Sequence, residues 1–283
     1  MAETPDYDLM RPPEPPEWEE PKRPVAVWAA IVVVALLLAV AVAAYFWRRD
    51  RQPPAPVVTE RTETPPPPAR PLGGEAAAID LPPLGETDPL VRELVRQIST
   101  NPKVVSWLAT DNLIRNFTVV VANVADGPTP AKHLQVLRPS SSFQTIGRGS
   151  ELYIDPRSYA RYDSLAAAAM SLDPTGSAKL YTTLKPRIED AYRELGFPNT
   201  PFDRTLERAL VSLLGTPVVD GQVRVQPRGG FGYEFTSPNL EALTGAQRQL
   251  LRTGPDNVRA IQAALRNIAL ALGIPSERLP AQR

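Results

Sequence analysis

Residues Val25–Trp47 read VAVWAAIVVVALLLAVAVAAYFW, without one charged or strongly polar side chain. At about 1.5 Å of rise per residue, a helix of roughly 23 residues covers about 34 Å, enough to cross a hydrocarbon core of about 30 Å. Trp28 lies near one end, and Tyr45, Phe46 and Trp47 close the other. Amphipathic rings favour those depths, beside the lipid headgroups. Charges mass on both flanks and prolines follow, so the stretch reads as a membrane span rather than a long buried helix. The expected layout is one transmembrane helix, a Pro-rich linker and a globular domain beyond it.

The flanks fit that layout. Residues 1–24 include PPEPPEWEEPKRP, too rich in proline and glutamate to bury a core, and read as a disordered acidic tail. A cleaved signal peptide has a basic start and an apolar region of about 7–15 residues. Here the apolar run begins late and runs long, which favours a retained signal anchor. Residues 48–84 contain PPAPVV, the run Pro65–Pro68 and LPPL at Leu81–Leu84, an extended spacer that reaches on the order of 100 Å at about 3.1 Å per residue. Such a segment also resembles a ligand for aromatic-grooved domains, but the spacer reading is favoured.

Orientation is less determined. Lys22 and Arg23 precede the span, whereas Arg48, Arg49 and Arg51 follow it, and this balance leans towards a cytoplasmic carboxyl side. Against that, long domains translocate largely regardless of flanking charge, and a short amino tail feeding a signal anchor stays inside. Ala35, Ala39 and Ala43 repeat at helical spacing, either as the seam of a homodimer through the span or as ordinary filler.

Beyond the linker, residues 85–273 are long enough for a real core, followed by a tail at 274–283. Thr87-Asp88-Pro89 opens a helix carrying Leu90, Leu94, Val95 and Ile98 on one face, and Asn101-Pro102 opens another. Leu113, Ile114, Phe117, Val120, Val121 and Val124 hold the 3.6 period, which outweighs the β-branched run FTVVVANV. After irregular chain through HLQVLRP, FQTI and ELYI form a hairpin about GRGS. One helix is expected over SYARYDSLAAAAMSL, a second from Asp173-Pro174 to Leu195 with a kink at Pro186, and a third from Pro201 to Leu214. VRVQP and GYEF make a second hairpin through Gly229, Gly230 and Gly232. Short helices open at Ser237-Pro238 and Thr244-Gly245. The last opens at Gly254-Pro255 and carries the apolar stripe Val258, Ile261, Leu265, Ile268 and Leu272. The fold class is mainly α with two small β-hairpins, with α+β as the alternative.

The residue inventory excludes several chemistries. The chain has no cysteine and one histidine, His133, so thiol catalysis, disulfides and a zinc site have no ligands to use. No phosphate-binding or calcium loop is present, the glycines of Gly147-Arg148-Gly149 read as turn residues, and no cofactor is called for. The carboxylate pairs Glu151 with Asp155 and Glu189 with Glu194 leave open a hydrolase acting on cell-wall glycan. QLLRTGPDNVRAIQAAL, with Arg248, Arg252, Arg259 and Arg266, resembles the second half of a helix-hairpin-helix unit, the basis for a cytoplasmic-facing DNA-binding reading. Its second hairpin glycine is missing, which makes nucleic acid a poor partner. The richest constellation is Tyr153, Asp155, Arg157, Tyr159, Arg161, Tyr162 and Asp163, aromatics interleaved with charges, the composition of a recognition surface for sugar, peptide or protein. If this segment is helical, Tyr159 shares a face with Asp163, and Arg157 with Arg161. The plainer account is that the tyrosines seal a core edge and the charges pair locally.

The blocks LPPLGETDPLVRELV, WLATDNLIRNFTVVVANVADG, LYIDPRSYARYDSL, LKPRIEDAYRELGFP and LLRTGPDNVRAIQAAL resemble successive parts of the domain of unknown function (DUF) 3014 family, over about Leu81 to Leu272. That resemblance implies a single-pass inner-membrane protein of a Gram-negative bacterium with its large C-terminal domain in the periplasm. It implies no activity and no functional residue. The expected function is a membrane-anchored binding or structural module that contacts envelope proteins or cell-wall glycan.

Overall fold

The computed structural model describes residues 71–74, 76–149, 151–229 and 232–281. The expected acidic tail, the span with Ala35, Ala39 and Ala43, and the linker up to residue 70 lie outside the described residues. Among those described, no helix is long and apolar enough to cross a membrane.

The helical periodicity folds as its spacing dictates. Helices α1 (Asp88–Arg96), α2 (Pro102–Leu108) and α3 (Leu113–Asp126) follow the three apolar runs of the first third. FTVVVANV is helical, because its apolar residues fall on the stripe that packs against α6 (Pro174–Glu194) and α7 (Phe202–Leu214). Asp88 supplies a cap across the turn. Its carboxylate accepts the N–H groups of Asn112 at 2.8 Å and Leu113 at 2.9 Å, satisfying donors at the start of α3 that no local side chain reaches. Helix α6 is continuous through Pro186.

SYARYDSLAAAAMSL does not form one helix. It divides into α4 (Arg157–Ala160) and α5 (Asp163–Met170), with Tyr162 at φ −103° and ψ 0° between them. The break lets the Tyr162 side chain bury while the Arg161 guanidinium reaches the carbonyls of Ser158 and Ser141, each at 2.9 Å. Helices α8 (Pro238–Glu241), α9 (Gly245–Leu251) and α10 (Pro255–Ala271) complete the set, and α10 packs on α5, α6 and α7.

The two hairpins expected from the sequence are one sheet. Strands β1 (Thr145–Arg148), β2 (Glu151–Ile154), β3 (Arg224–Pro227) and β4 (Tyr233–Phe235) form a 4-stranded antiparallel sheet in that order. Leu152 lies opposite Val225, and Val225 opposite Phe235. A lone two-stranded hairpin is marginal in water. Joined, the hairpins put Ile154, Val225 and Phe235 into one small core with Val223 and Leu251. The first strand also begins two residues later than FQTI. Gly147 and Arg148 therefore extend it, opposite Leu152 and Glu151.

Residues 71–74 and 76–84 lie on the helical body. The Gly73 N–H donates to the Leu272 carbonyl at 2.8 Å, Ala77 N–H to Thr183 Oγ1 at 3.1 Å, and Leu72 is buried. Gly73 has φ +88°, and a Cβ there would lie 1.9 Å from Thr182 Oγ1, so this approach needs glycine. Arg187 clamps the same segment, donating through Nε to the Pro82 carbonyl at 2.8 Å and through Nη2 to that of Leu81 at 2.9 Å. Arg187→Met keeps the aliphatic stem and removes both bonds together with the ion pair to Asp190. The expected loss is about 2 kcal/mol, read by denaturant unfolding, with hydrogen exchange at residues 76–84 accelerated ahead of the rest of the body.

Within the helical body lies a cavity of about 580 Å³, partly open to the surface, with an almost wholly apolar lining. Four residues of the last apolar stripe line it, the half-buried Ile261, Leu265 and Ile268 and the buried Leu272, whereas Val258 is buried elsewhere.

Candidate functional site

Asn257 is a polar residue on an apolar stripe, four positions before Ile261, and it is buried. Its Nδ2 donates to the carbonyls of Tyr159 at 3.1 Å and Thr253 at 3.0 Å, and to Asp163 Oδ1 at 2.9 Å. One side chain thus ties α4, the start of α5 and the Gly254 turn into a single wall. Gly254 has φ +90°, and a Cβ there would stand 2.4 Å from Cγ of Tyr159. The Tyr159 ring therefore lies flush on the turn backbone.

Between these elements and the sheet edge opens a cleft of about 530 Å³, lined among others by Ile146, Ile154, Tyr159, Asp163, Gly254 and Asn257. Burial pushes the Tyr159 phenol above its ordinary pKa, so it stays a neutral hydroxyl. Asp163 and Asp256 put carboxylate oxygens at the rim. An apolar ring face beside acceptors suits a ligand with a flat apolar side and O–H or N–H donors, such as a sugar ring or a basic peptide side chain.

The residues singled out from the sequence divide among several places. Tyr159 and Asp163 come together in the cleft. Asp155 is buried and accepts from the Arg157 backbone N–H at 2.8 Å and from its Nη2 at 2.6 Å, and this guanidinium holds the Asp155 carboxyl below the usual carboxylate range. Arg161 lies over the rings of Phe143 at 5.6 Å and Tyr162 at 5.2 Å. Tyr162 lines the internal cavity, where its hydroxyl accepts from Gln249 Nε2 at 3.3 Å. Tyr153 sits in β2 opposite Ile146 and Arg224. Arg157 and Arg161 do not share a face, because the chain turns at Arg161 and Tyr162. Asn257 and Gly254 were missed as site residues. The signal for Asn257 was its place on the stripe of α10.

The carboxylate pairs have engaged members. Glu194 takes a two-pronged ion pair from Arg115 at 2.7 and 3.0 Å, which lowers its pKa, and Glu189 accepts the Phe202 N–H at 3.0 Å. A general acid needs its carboxyl held protonated, the opposite of what Arg115 and Arg157 do. The arginines around the Gly254 turn are engaged too. Arg248 pairs with Glu241 and Arg259 with Asp220, while Arg252 donates to the Tyr233 carbonyl and lies over Phe235, and Arg266 bonds the Pro280 carbonyl. A phosphate arriving at this turn would meet Asp163 and Asp256. His133 lies exposed in a 3₁₀ turn, and among the described residues no group of His, Cys, Asp or Glu side chains is placed to hold a metal ion.

Neither a curated protein nor a solved structure matches the chain. A family model described as a protein of unknown function (DUF3014) matches residues 113–269. The match starts later than the block at Leu81 that also resembles the family, and it runs from the first turn of α3 almost to the end of α10. It covers more than half of the chain and all the residues named in the cleft, so the chain belongs to the DUF3014 family.

Proposed function

We propose that this chain is a binding module of the bacterial cell envelope. Residues 25–47 anchor it in the inner membrane as a single span, and the domain at 85–273 is held on the periplasmic side, where it contacts envelope proteins or cell-wall glycan. The observation that carries the binding role is the cleft at the Gly254 turn, where Tyr159 and Asp163 meet a buried asparagine. Recognition rather than catalysis is supported by the state of the acidic pairs, whose Asp155 and Glu194 are held ionised by arginines. The anchor rests on the length and ring-capped ends of the apolar run.

The absence of native cysteine supplies the test. Ala160→Cys places a sole thiol at the cleft rim. A membrane-impermeant maleimide is expected to label it in cells whose outer membrane alone has been opened. Labelling only after the inner membrane is lysed would put the domain in the cytoplasm and overturn the proposal. In the periplasmic case, a photo-crosslinker on the same thiol is expected to capture glycan fragments or envelope proteins, and Asp163→Ala with Tyr159→Ala is expected to abolish capture.

A further inference from the structure

We infer that the internal cavity between α1, α2, α3, α6, α7 and α10 is a binding site for one long hydrocarbon chain carrying an anionic head. The inference stands on this cavity and needs neither the cleft nor the anchor. Two features select the ligand, its volume and the placement of its polar groups.

The space is about 580 Å³. With roughly 30 Å³ for each water-sized group, it takes a chain of roughly fifteen to twenty carbons. Leu113, Ile114, Leu210, Leu265 and Trp107 are among its lining residues, which include no carboxylate and no guanidinium. Most polar groups in the lining are already satisfied. Tyr181 donates its hydroxyl to Asp203 at 2.5 Å, Thr253 donates to the Leu250 carbonyl at 2.7 Å, and Gln249 is bonded to Tyr162. Ser177 Oγ is buried without a hydrogen-bond partner, and Lys103, the one charged residue of the lining, makes no ion pair with another described residue.

Those two groups belong to neighbouring helix starts. Lys103 lies in the first turn of α2 and Ser177 in the first turn of α6, and the Ile98 carbonyl ahead of α2 accepts the Asp173 N–H ahead of α6 at 3.2 Å. An apolar space with an unpaired lysine and a buried, unmatched hydroxyl at adjoining helix starts suits a one-headed amphiphile, the lysine meeting its head. A compact apolar ligand would leave Ser177 Oγ unmatched, and a ligand polar at both ends would bury a head against leucines. Carboxylate and phosphate heads share the required charge, so a free fatty acid and a membrane phospholipid are two sources of the same chemistry.

The test uses the purified full-length chain and palmitic acid bearing a diazirine at its methyl end. After irradiation, adducts are located by peptide mass spectrometry. They are expected on lining residues of α3, α7 or α10 and to fall at least tenfold under excess unlabelled palmitate. Leu265→Trp and Ile261→Phe narrow the space and, combined, are expected to reduce labelling severalfold while the variant melts as cooperatively as the parent. Lys103→Met is expected to cut labelling by the acid while leaving labelling by the corresponding long-chain alcohol unchanged. Labelling from phosphatidylglycerol vesicles carrying the same diazirine, but not from free palmitate, keeps the chemistry and makes the bilayer the source. Adducts on the parent chain that fall outside the lining overturn the site, whether or not the variants fold. Equal labelling by acid and alcohol in the parent overturns the anionic head.

Discussion

Replacing Phe202 with alanine is expected to remove about 3–5 kcal/mol of stability, enough to leave an ordinary domain barely folded. Phe202 is 0 % exposed at the first turn of α7 and joins three rings. Its centroid lies 5.2 Å from Tyr192 at an edge-on angle of 74°, 6.0 Å from Phe117 and 6.4 Å from Tyr181. These rings come from α3, α6 and α7, so one side chain is shared by three helix faces. Truncation opens a void beside Tyr192, whose hydroxyl is pinned to Thr205 Oγ1 at 2.8 Å and whose ring is stacked on Phe197 at 4.6 Å. Neither constraint lets the tyrosine move in to fill the space, which places the loss in the upper part of that range. The measurement is equilibrium denaturation, with a shifted midpoint and an unchanged slope. Phe202→Leu should lose much less, because it keeps most of the volume.

The second large effect is expected at Gly254→Ala. Backbone strain alone costs about 1–3 kcal/mol, since φ +90° with ψ 161° is a conformation that residues with a Cβ avoid. The added methyl also meets the Tyr159 ring, at 2.4 Å from Cγ and 2.6 Å from Cβ. The two causes separate in a double-mutant cycle with Tyr159→Ala. If the close approach matters, removing the ring recovers part of the loss, with a coupling of about 0.5–3 kcal/mol. A loss identical in both backgrounds would assign the whole effect to the backbone and dismiss the ring as part of the turn. Because Tyr159 and Gly254 both line the cleft, the same variant should also abolish capture from a crosslinker at residue 160.

The contrast between α10 and the sheet shows what was legible without coordinates. Apolar residues at Val258, Ile261, Leu265, Ile268 and Leu272 announced a helix, because a 3.6-residue period states which face must leave water. The same pattern could not say that the middle of the stripe faces a cavity. Burial by a neighbouring helix and burial against an internal space have the same periodicity. The strands were visible as alternating runs, yet β2 pairing with β3 joins segments about seventy residues apart, and no local pattern carries such a pairing.

For the site the division is similar. Tyr159, Asp163 and the Gly254 turn were each noticeable as residue types, but as parts of two unrelated motifs. Asn257 joins them through hydrogen bonds to residues 94 and 98 positions away. The break at Tyr162 separates Arg157 from Arg161, sending one to Asp155 and the other to Phe143. Local order along the chain specified most of the helices and the family, because propensity and hydrophobic period act within a few residues, whereas the Asp88 cap of α3 and the break at Tyr162 rest on contacts made in the fold. The single sheet, the cleft and the cavity came from packing, because each is a space or surface bounded by side chains that meet only after the helices close on one another.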